Sequence, residues 1–249
     1  MSSRRIVLGF IVALGLLAFA IPRSPGQNPN NPKGIDVSDY QGNINWTSVK
    51  NSGISFAFIK ATEGTTFTAT TFAANWMNSK AAGIVRGSYH FARPGTSPTV
   101  SGNAIAQANF FINTVKPQKG DLQLVCDFED NSNALSQTDM GTWLTAFCNQ
   151  IASVTHRPAI VYTYPSFWSN MPSNWTNPNC GLWIANYGVS SPSIPPPWGT
   201  SYAFWQYSSS GTSTNVSGIQ IYPVDLDTYN GSMSSLLNFT YPRDPLNRR

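Results

Sequence analysis

Apolar residues along this chain recur with two periods in turn, one of two residues and one near 3.6, and that exchange predicts an α/β fold. Ile54-Ser55-Phe56-Ala57-Phe58-Ile59-Lys60 is nearly continuous in its apolarity and reads as a buried strand. Residues 71–82 are helical by spacing and stop at Gly83, where a left-handed backbone ends a helix without strain. Residues 84–91 form the next strand. A helix over 104–115 follows, with Ile105, Ala108, Phe111, Ile112 and Val115 on one face. The run Leu122-Gln123-Leu124-Val125-Cys126-Asp127-Phe128-Glu129-Asp130 is a strand that ends abruptly in acid. Ser136-x-x-Asp139 resembles a capping box and opens a stripe of Met140, Trp143, Leu144, Phe147, Ile151 and Val154, which ends before Pro158. Strands over 159–163, 181–187 and 202–207 come next with no long helix between them, then a short strand over 224–227 and a helical stretch near Leu236. With residues 35–40 and a helical turn at 46–50, this makes eight candidate strands and about five helical connections.

Alternating strands and helices favour a parallel sheet with right-handed crossovers, and eight strands close a small barrel. The reading is a single α/β domain over residues 34–240, a modified TIM-like barrel with about five β/α units and a β-rich remainder. No glycine-rich nucleotide loop follows any strand, which counts against an open, doubly wound sheet.

Composition narrows the class of partner. Only 10% of the 249 residues are charged, and the net charge is +4. Ser, Thr, Asn, Gly and aromatic residues fill the surface instead, which suits polar, uncharged partners such as sugars. No Lys/Arg run exceeds a pair, so no nucleic-acid footprint is present. Arg4-Arg5 precede an apolar run over 6–21 in which Ala18-Phe19-Ala20 offers a cleavage site, and the run is short of the ~20 residues that span a bilayer. A signal peptide over 1–20 is expected, then a Pro/Asn-rich linker over 21–33 and a tail over 241–249. The product would be a secreted monomer with no stable membrane association. With only His90 and His156, and with Cys126, Cys148 and Cys180 far apart, there is no zinc-type spacing, so neither metal nor cofactor is expected. Cys126 and Cys148 can meet between strand and helix as a disulfide or as packed thiols, which leaves Cys180 over.

Candidate chemistry lies in the acids. Side chains at i and i+2 of a strand share a face, so Asp127 and Glu129 look in one direction with α-carbons roughly 7 Å apart. Two carboxylates at the end of a buried strand repel each other, and at least one should hold its proton toward neutral pH. One acid and one base is what glycosidic cleavage requires, although a strand ending in a polar turn would look the same. Asp36, Asp127, Glu129 and Asp225 all fall late in, or just after, a predicted strand, where barrel enzymes carry their sites. Asp39 and Asp130 read as loop residues. Asp227 reads as lying one step further out than Asp225, so Asp225→Asn is expected to be crippling and Asp227→Asn mild. Tyr89, Tyr162, Trp183, Tyr187, Trp205 and Tyr207 end the same strands, and alternation puts half of them in the core. Those at the mouth would face pyranose rings, with Asn186 and Gln206 fixing orientation.

Several motifs occur together in order: Gly34-Ile35-Asp36-Val37-Ser38 with Tyr40-Gln41-Gly42, Phe58-Ile59-Lys60-Ala61-Thr62-Glu63-Gly64, and Tyr89-His90-Phe91-Ala92-Arg93-Pro94. Asp127-Phe128-Glu129, Leu182-Trp183-Ile184-Ala185-Asn186-Tyr187, Trp205-Gln206-Tyr207 and Val224-Asp225-Leu226 before Asn230-Gly231 complete the set. Through nearly the whole domain the sequence resembles glycoside hydrolase family 25, the Chalaropsis-type lysozymes or N-acetylmuramidases. That resemblance implies a flattened β/α barrel that cleaves the β-1,4 bond between N-acetylmuramic acid and N-acetylglucosamine in bacterial cell-wall peptidoglycan. It further implies Glu129 as proton donor, Asp127 as the orienting or stabilising group, and Asp36 and Asp225 as the rest of the acidic cluster. The chain departs from the family pattern at Ala69, where Asp or Asn is usual, and at Asp227, where Asn is common. The expected mechanism is retention through the substrate's own acetamido group, while a protein nucleophile and an inverting water stay open. A non-catalytic wall-binding protein and a chitinase are the competing functions. Glu63 is expected to pair with Lys60 or Arg86 in a structural ion pair.

Overall fold

The computed structural model describes residues 28–176 and 179–246, so the expected signal peptide and the first part of the linker lie outside the described residues. The described residues form nine strands and five α-helices, with helices between strands through the first half and strands following one another in the second. The strands are β1 (Lys33–Val37), β2 (Phe56–Glu63), β3 (Phe67–Thr68), β4 (Val85–Phe91), β5 (Val125–Asp127), β6 (Ile160–Thr163), β7 (Gly181–Ala185), β8 (Phe204–Gly211) and β9 (Val224–Tyr229). The helices are α1 (Trp46–Asn51), α2 (Phe72–Ala81), α3 (Val100–Val115), α4 (Gln137–Thr155) and α5 (Met233–Asn238). Strands β1, β2, β4, β5, β6, β7 and β8 run parallel in that order, and β9 closes the ring antiparallel to both β8 and β1. The result is a closed eight-stranded mixed barrel, the modified TIM-like fold expected, with the two-residue β3 hydrogen-bonded to the end of β2. β3 is too short to leave a periodic signal in the sequence.

Helix α3 begins at Val100, four residues before the expected start at 104, because Thr99 Oγ1 accepts the Gly102 N–H at 2.9 Å and caps a first turn, Val100-Ser101-Gly102-Asn103, that carries no apolar stripe. Ser136 caps α4 in the same way through the Asp139 N–H. Residues 241–246 stay close to the barrel: Tyr241 is buried, its N–H donates to Asp121 O, and Asp244 accepts the Lys119 N–H at 2.7 Å.

Strand alternation sorts the core into two layers. Ala57, Ile59, Cys126, Phe128, Val161, Leu182, Ile184 and Trp205 face outward onto Phe111, Trp143, Phe147 and the other buried residues of the helices. Phe56, Phe58, Tyr89, Val125, Ile160, Tyr162, Trp183, Phe204 and Tyr229 fill the barrel, and Leu236 of α5 stoppers its lower end. No disulfide joins the three buried cysteines, which pack as thiols. Cys180 is not left over, since it hydrogen-bonds Cys148.

Inside the barrel Phe58 stacks on Trp183 with centroids 4.5 Å apart. Its neighbour across the ladder is Gly87, where a Cβ would stand 2.5 Å from the Phe58 ring and 3.2 Å from Leu122 Cβ. Glycine at 87 thus lets an aromatic floor form beneath the mouth. Gly87→Ala should destabilise the protein by about 1–3 kcal/mol through overpacking, read as a lower midpoint in urea at unchanged slope.

Candidate active site

The mouth at the carboxyl ends of the parallel strands opens into a groove of about 550 Å³. Strands β1, β2, β4, β5, β6, β7 and β8 turn Asp36, Lys60, Tyr89, Asp127, Tyr162, Trp183 and Gln206 into it. β9 supplies Asp225. Because β9 runs against its neighbours, its amino end, and not its carboxyl end, stands at the rim, in register with Asp36. Glu129 and Tyr187 lie just past the ends of β5 and β7 and line the same groove, whose outer wall is Tyr40, Gln41 and residues 221–223.

All four acids named from sequence therefore meet in one groove. So do Tyr89, Tyr162, Trp183, Tyr187 and Gln206 among the expected substrate-binding residues. Trp205 and Asn186 do not. Gln206 points inward, so alternation turns Trp205 outward, where it is 1% exposed and its Nε1 donates to Asn186 O at 2.8 Å. The Asn186 side chain accepts the Ser193 N–H at 2.9 Å and fastens the loop after β7. Asp227 is the third correction. In an antiparallel strand the second acid lies deeper than the first, and Asp227 is fully buried with its Oδ1 accepting the Trp183 Nε1–H at 2.9 Å.

Gln206 ties the floor together. Its Nε2 donates to Asp36 Oδ2 at 2.6 Å, and its Oε1 accepts from the hydroxyls of Tyr162 at 3.0 Å and Tyr187 at 2.5 Å. The amide thus serves protein partners and holds Asp36. Glu63 bridges two cations at the rim, Lys60 at 2.6 Å and Arg93 at 2.8 Å, and Arg93 reaches Asp130 at 3.0 Å. Lys60 is the expected partner, but Arg86 instead pairs with buried Asp121 at 2.7 Å. Asp39 caps the start of α2 by accepting the N–H groups of Thr70 and Thr71. Lys60 was legible in principle, since Phe56, Phe58 and Lys60 share a face of β2; residues 221–223 sit in an aperiodic loop and gave no signal.

Burial and crowding set the protonation of the rim. Burial first, then the charges of Asp225 and Asp227, raise Asp36 well above the ordinary aspartate range. Burial and then Glu129 raise Asp127 well above it, with Lys60 and Arg93 acting the other way. Glu129 is raised by burial, then by Asp225 and Asp130, and Asp225 is raised by burial to about 6. Burial would also raise Glu63, but hydrogen bonds from Lys60 and Arg93 outweigh it and hold that group low. Asp127 lines the groove, and its Oδ1 is buried without a hydrogen-bond partner. The arrangement pairs a proton-holding carboxyl with a second carboxyl beside it, in a groove walled by aromatic rings.

The sequence model described as Glycosyl hydrolases family 25 matches residues 35–216. Over 215 residues the chain is 41% identical to Lysozyme M1 of Streptomyces globisporus, spanning 82% of this chain and 70% of that one. It is 31% identical over 217 residues to an N,O-diacetylmuramidase of Arthroderma benhamiae, spanning 83% and 86% of the two chains. The crystal structure of a bacterial lysozyme from Streptomyces coelicolor superposes with a TM-score of 0.76 at 39% identity, covering 86% of this chain and 99% of that one.

The Gln206 bridge makes a testable demand on stability. Gln206→Leu leaves Asp36 and two tyrosine hydroxyls without a shared partner, at about 1–3 kcal/mol for a buried polar group so stranded. Chemical denaturation should show a loss of that order, and Tyr162→Phe, which removes one donor and strands nothing charged, should lose less.

Proposed function

The chain belongs to glycosyl hydrolase family 25, and from that premise we propose that it hydrolyses the β-1,4 bond between N-acetylmuramic acid and N-acetylglucosamine in peptidoglycan, with Glu129 as general acid. The observation that carries this reading is the pair itself: Glu129 facing the groove with a raised affinity for its proton, and Asp127 beside it with a bare, buried Oδ1. Two relatives, a lysozyme and an N,O-diacetylmuramidase, support a peptidoglycan substrate.

The reaction we propose proceeds with retention. Glu129 gives its proton to the glycosidic oxygen as the bond from that oxygen to the anomeric carbon breaks. The carbonyl oxygen of the substrate's 2-acetamido group forms a new bond to the same carbon, giving a cyclic oxazolinium. Asp127, in the carboxylate form that the charges of Lys60 and Arg93 favour, accepts the acetamido N–H and offsets the developing charge. Water then attacks the anomeric carbon from the face the leaving sugar vacated, Glu129 takes its proton back, and the acetamido group is released. Asp36 and Asp225 complete the acidic floor, while Tyr89, Tyr162, Trp183 and Tyr187 supply flat faces and hydroxyls to the sugars. Residues 1–20 would direct the enzyme out of the cell, where it acts as a monomer on wall glycan.

Two outcomes test the assignment. Glu129→Gln should lower the release of reducing ends from purified peptidoglycan by roughly 10²–10⁴ while glycan binding stays measurable; equal rates would remove Glu129 from the role, and a wild type that binds without turnover would leave only a wall-binding protein. Since the acid must be protonated, activity should fall as pH rises through the Glu129 pKa. Burial raises that pKa, so the alkaline limb should lie above the ordinary glutamate range of about 4.3.

A further inference from the structure

Three of the nine large hydrophobic side chains that stand exposed among the described residues lie on the groove: Tyr40, Tyr187 and Ile221. A single exposed apolar residue is ordinary, but several gathered on one groove mark a contact surface. Tyr187 has a place in the floor network, since its hydroxyl bonds Gln206. Tyr40 and Ile221 take no part in the chemistry described above. Tyr40 is 83% exposed and Ile221 54%, and both belong to the outer wall, on the loops that follow β1 and precede β9.

The backbone beneath Tyr40 is fastened from both sides. Ser38 opens the 3-10 turn Asp39–Gln41: its Oγ accepts the Tyr40 N–H at 3.2 Å, and Gln41 Oε1 accepts the Ser38 N–H at 2.9 Å. One flanking residue, Asp39, accepts the N–H groups of Thr70 and Thr71 at the start of α2. The other, Gln41, accepts the Ile221 N–H on its backbone oxygen at 3.2 Å and donates its Nε2–H to Pro223 O at 3.1 Å. Gln220 Oε1 accepts the Asn43 N–H at 2.7 Å just beyond the turn. The turn is thus tied to α2 and to residues 220–223 while its ring stands in solvent. A tyrosine has only two side-chain torsions, so a ring on a fixed backbone loses little freedom when a ligand covers it.

Place in the barrel decides which ligand that is. In the ring order β1, β2, β4, β5, β6, β7, β8, β9, Asp127 and Glu129 stand at the fourth strand, and the wall of Tyr40 and Ile221 joins the eighth to the first. Acid and wall face each other across the mouth, so a glycan strand lying with its scissile bond at Glu129 passes along that wall. Asp36 and Asp127 at the floor are 7% and 6% exposed, whereas Tyr40 stands proud of them. We propose that Tyr40, with Ile221, forms a subsite for a pyranose ring of the glycan strand that is not itself being cut, the flat tyrosine face stacking on the C–H face of the sugar. The identity of the ligand rests on the glycosidase reading given above. Such a contact is alike in the ground state and the transition state, so its loss raises KM more than it lowers kcat.

The test measures kcat and KM on soluble glycan strands from purified peptidoglycan for the wild type, Tyr40→Ala and Tyr40→Trp. It also measures Kd for the same strands with each change at 40 placed on Glu129→Gln, which binds without turnover. Met77→Ala, which trims an exposed side chain of α2 outside the groove, is the control and should match the wild type. Tyr40→Ala should raise KM and Kd by about three- to tenfold, the size of one aromatic contact, with kcat within about twofold. Tyr40→Trp keeps a flat face and should stay within about twofold of wild type in both. The ring is exposed, so the denaturation midpoint of Tyr40→Ala should not move, and weaker binding cannot then be laid to misfolding. Unchanged KM and Kd in Tyr40→Ala, a Trp variant as weak as the Ala variant, or a loss confined to kcat would each overturn the subsite. Weaker glycan binding by Tyr40→Ala in a protein whose wild type shows no turnover would sink the glycosidase reading and leave the subsite standing; full turnover with an indifferent Tyr40 would do the reverse.

Discussion

Asp36, Asp127, Glu129, Asp225 and Asp227 crowd one barrel mouth, and burial together with mutual repulsion keeps them from ionising all at once. Much of the rest of the site answers that constraint. Gln206 and Trp183 lend N–H groups to the deepest carboxyls, and the rim cations Lys60 and Arg93 act on Asp127 and Glu129 from outside while Glu63 and Asp130 hold them in place. The outcome is a graded set of proton affinities in a small space, from which an acid and a stabilising base can both be drawn near neutral pH.

That gradation depends on a rigid floor. The aromatic interior puts Phe58 against Trp183 and Trp183 against Tyr162, so the groups that hydrogen-bond the acids are themselves locked by packing. Gly87 makes room for Phe58, and α5 seals the opposite end with Leu236. Closure by β9 adds the last element, since only a strand between β8 and β1 brings Asp225 and Asp227 beside Asp36.

Much of this was legible in the sequence, for a physical reason. Asp127 and Glu129 stand out because a parallel strand buried on both faces is apolar until it reaches the mouth, so acids at its end are conspicuous. The helix-poor second half likewise showed as strands without amphipathic runs between them. Strand direction was hidden: a period of two is the same forwards and backwards, so Asp227 read as lying outside Asp225 when it lies beneath it. Parity was hidden too at Trp205 and Asn186. Aromatic and amide residues occur on either face, and only the inward turn of Gln206 settles which neighbour looks out. The thiol contact of Cys148 with Cys180 depends on the packing of α4 against the start of β7, which spacing along the chain does not encode.

The central claim is that this mouth cuts wall glycan on the reducing side of N-acetylmuramic acid. The most direct measurement is mass analysis of the soluble fragments released from purified peptidoglycan after their reducing ends have been chemically reduced. The account predicts fragments that end in reduced N-acetylmuramic acid. Fragments ending in reduced N-acetylglucosamine, or glycan chains left uncut, would contradict it.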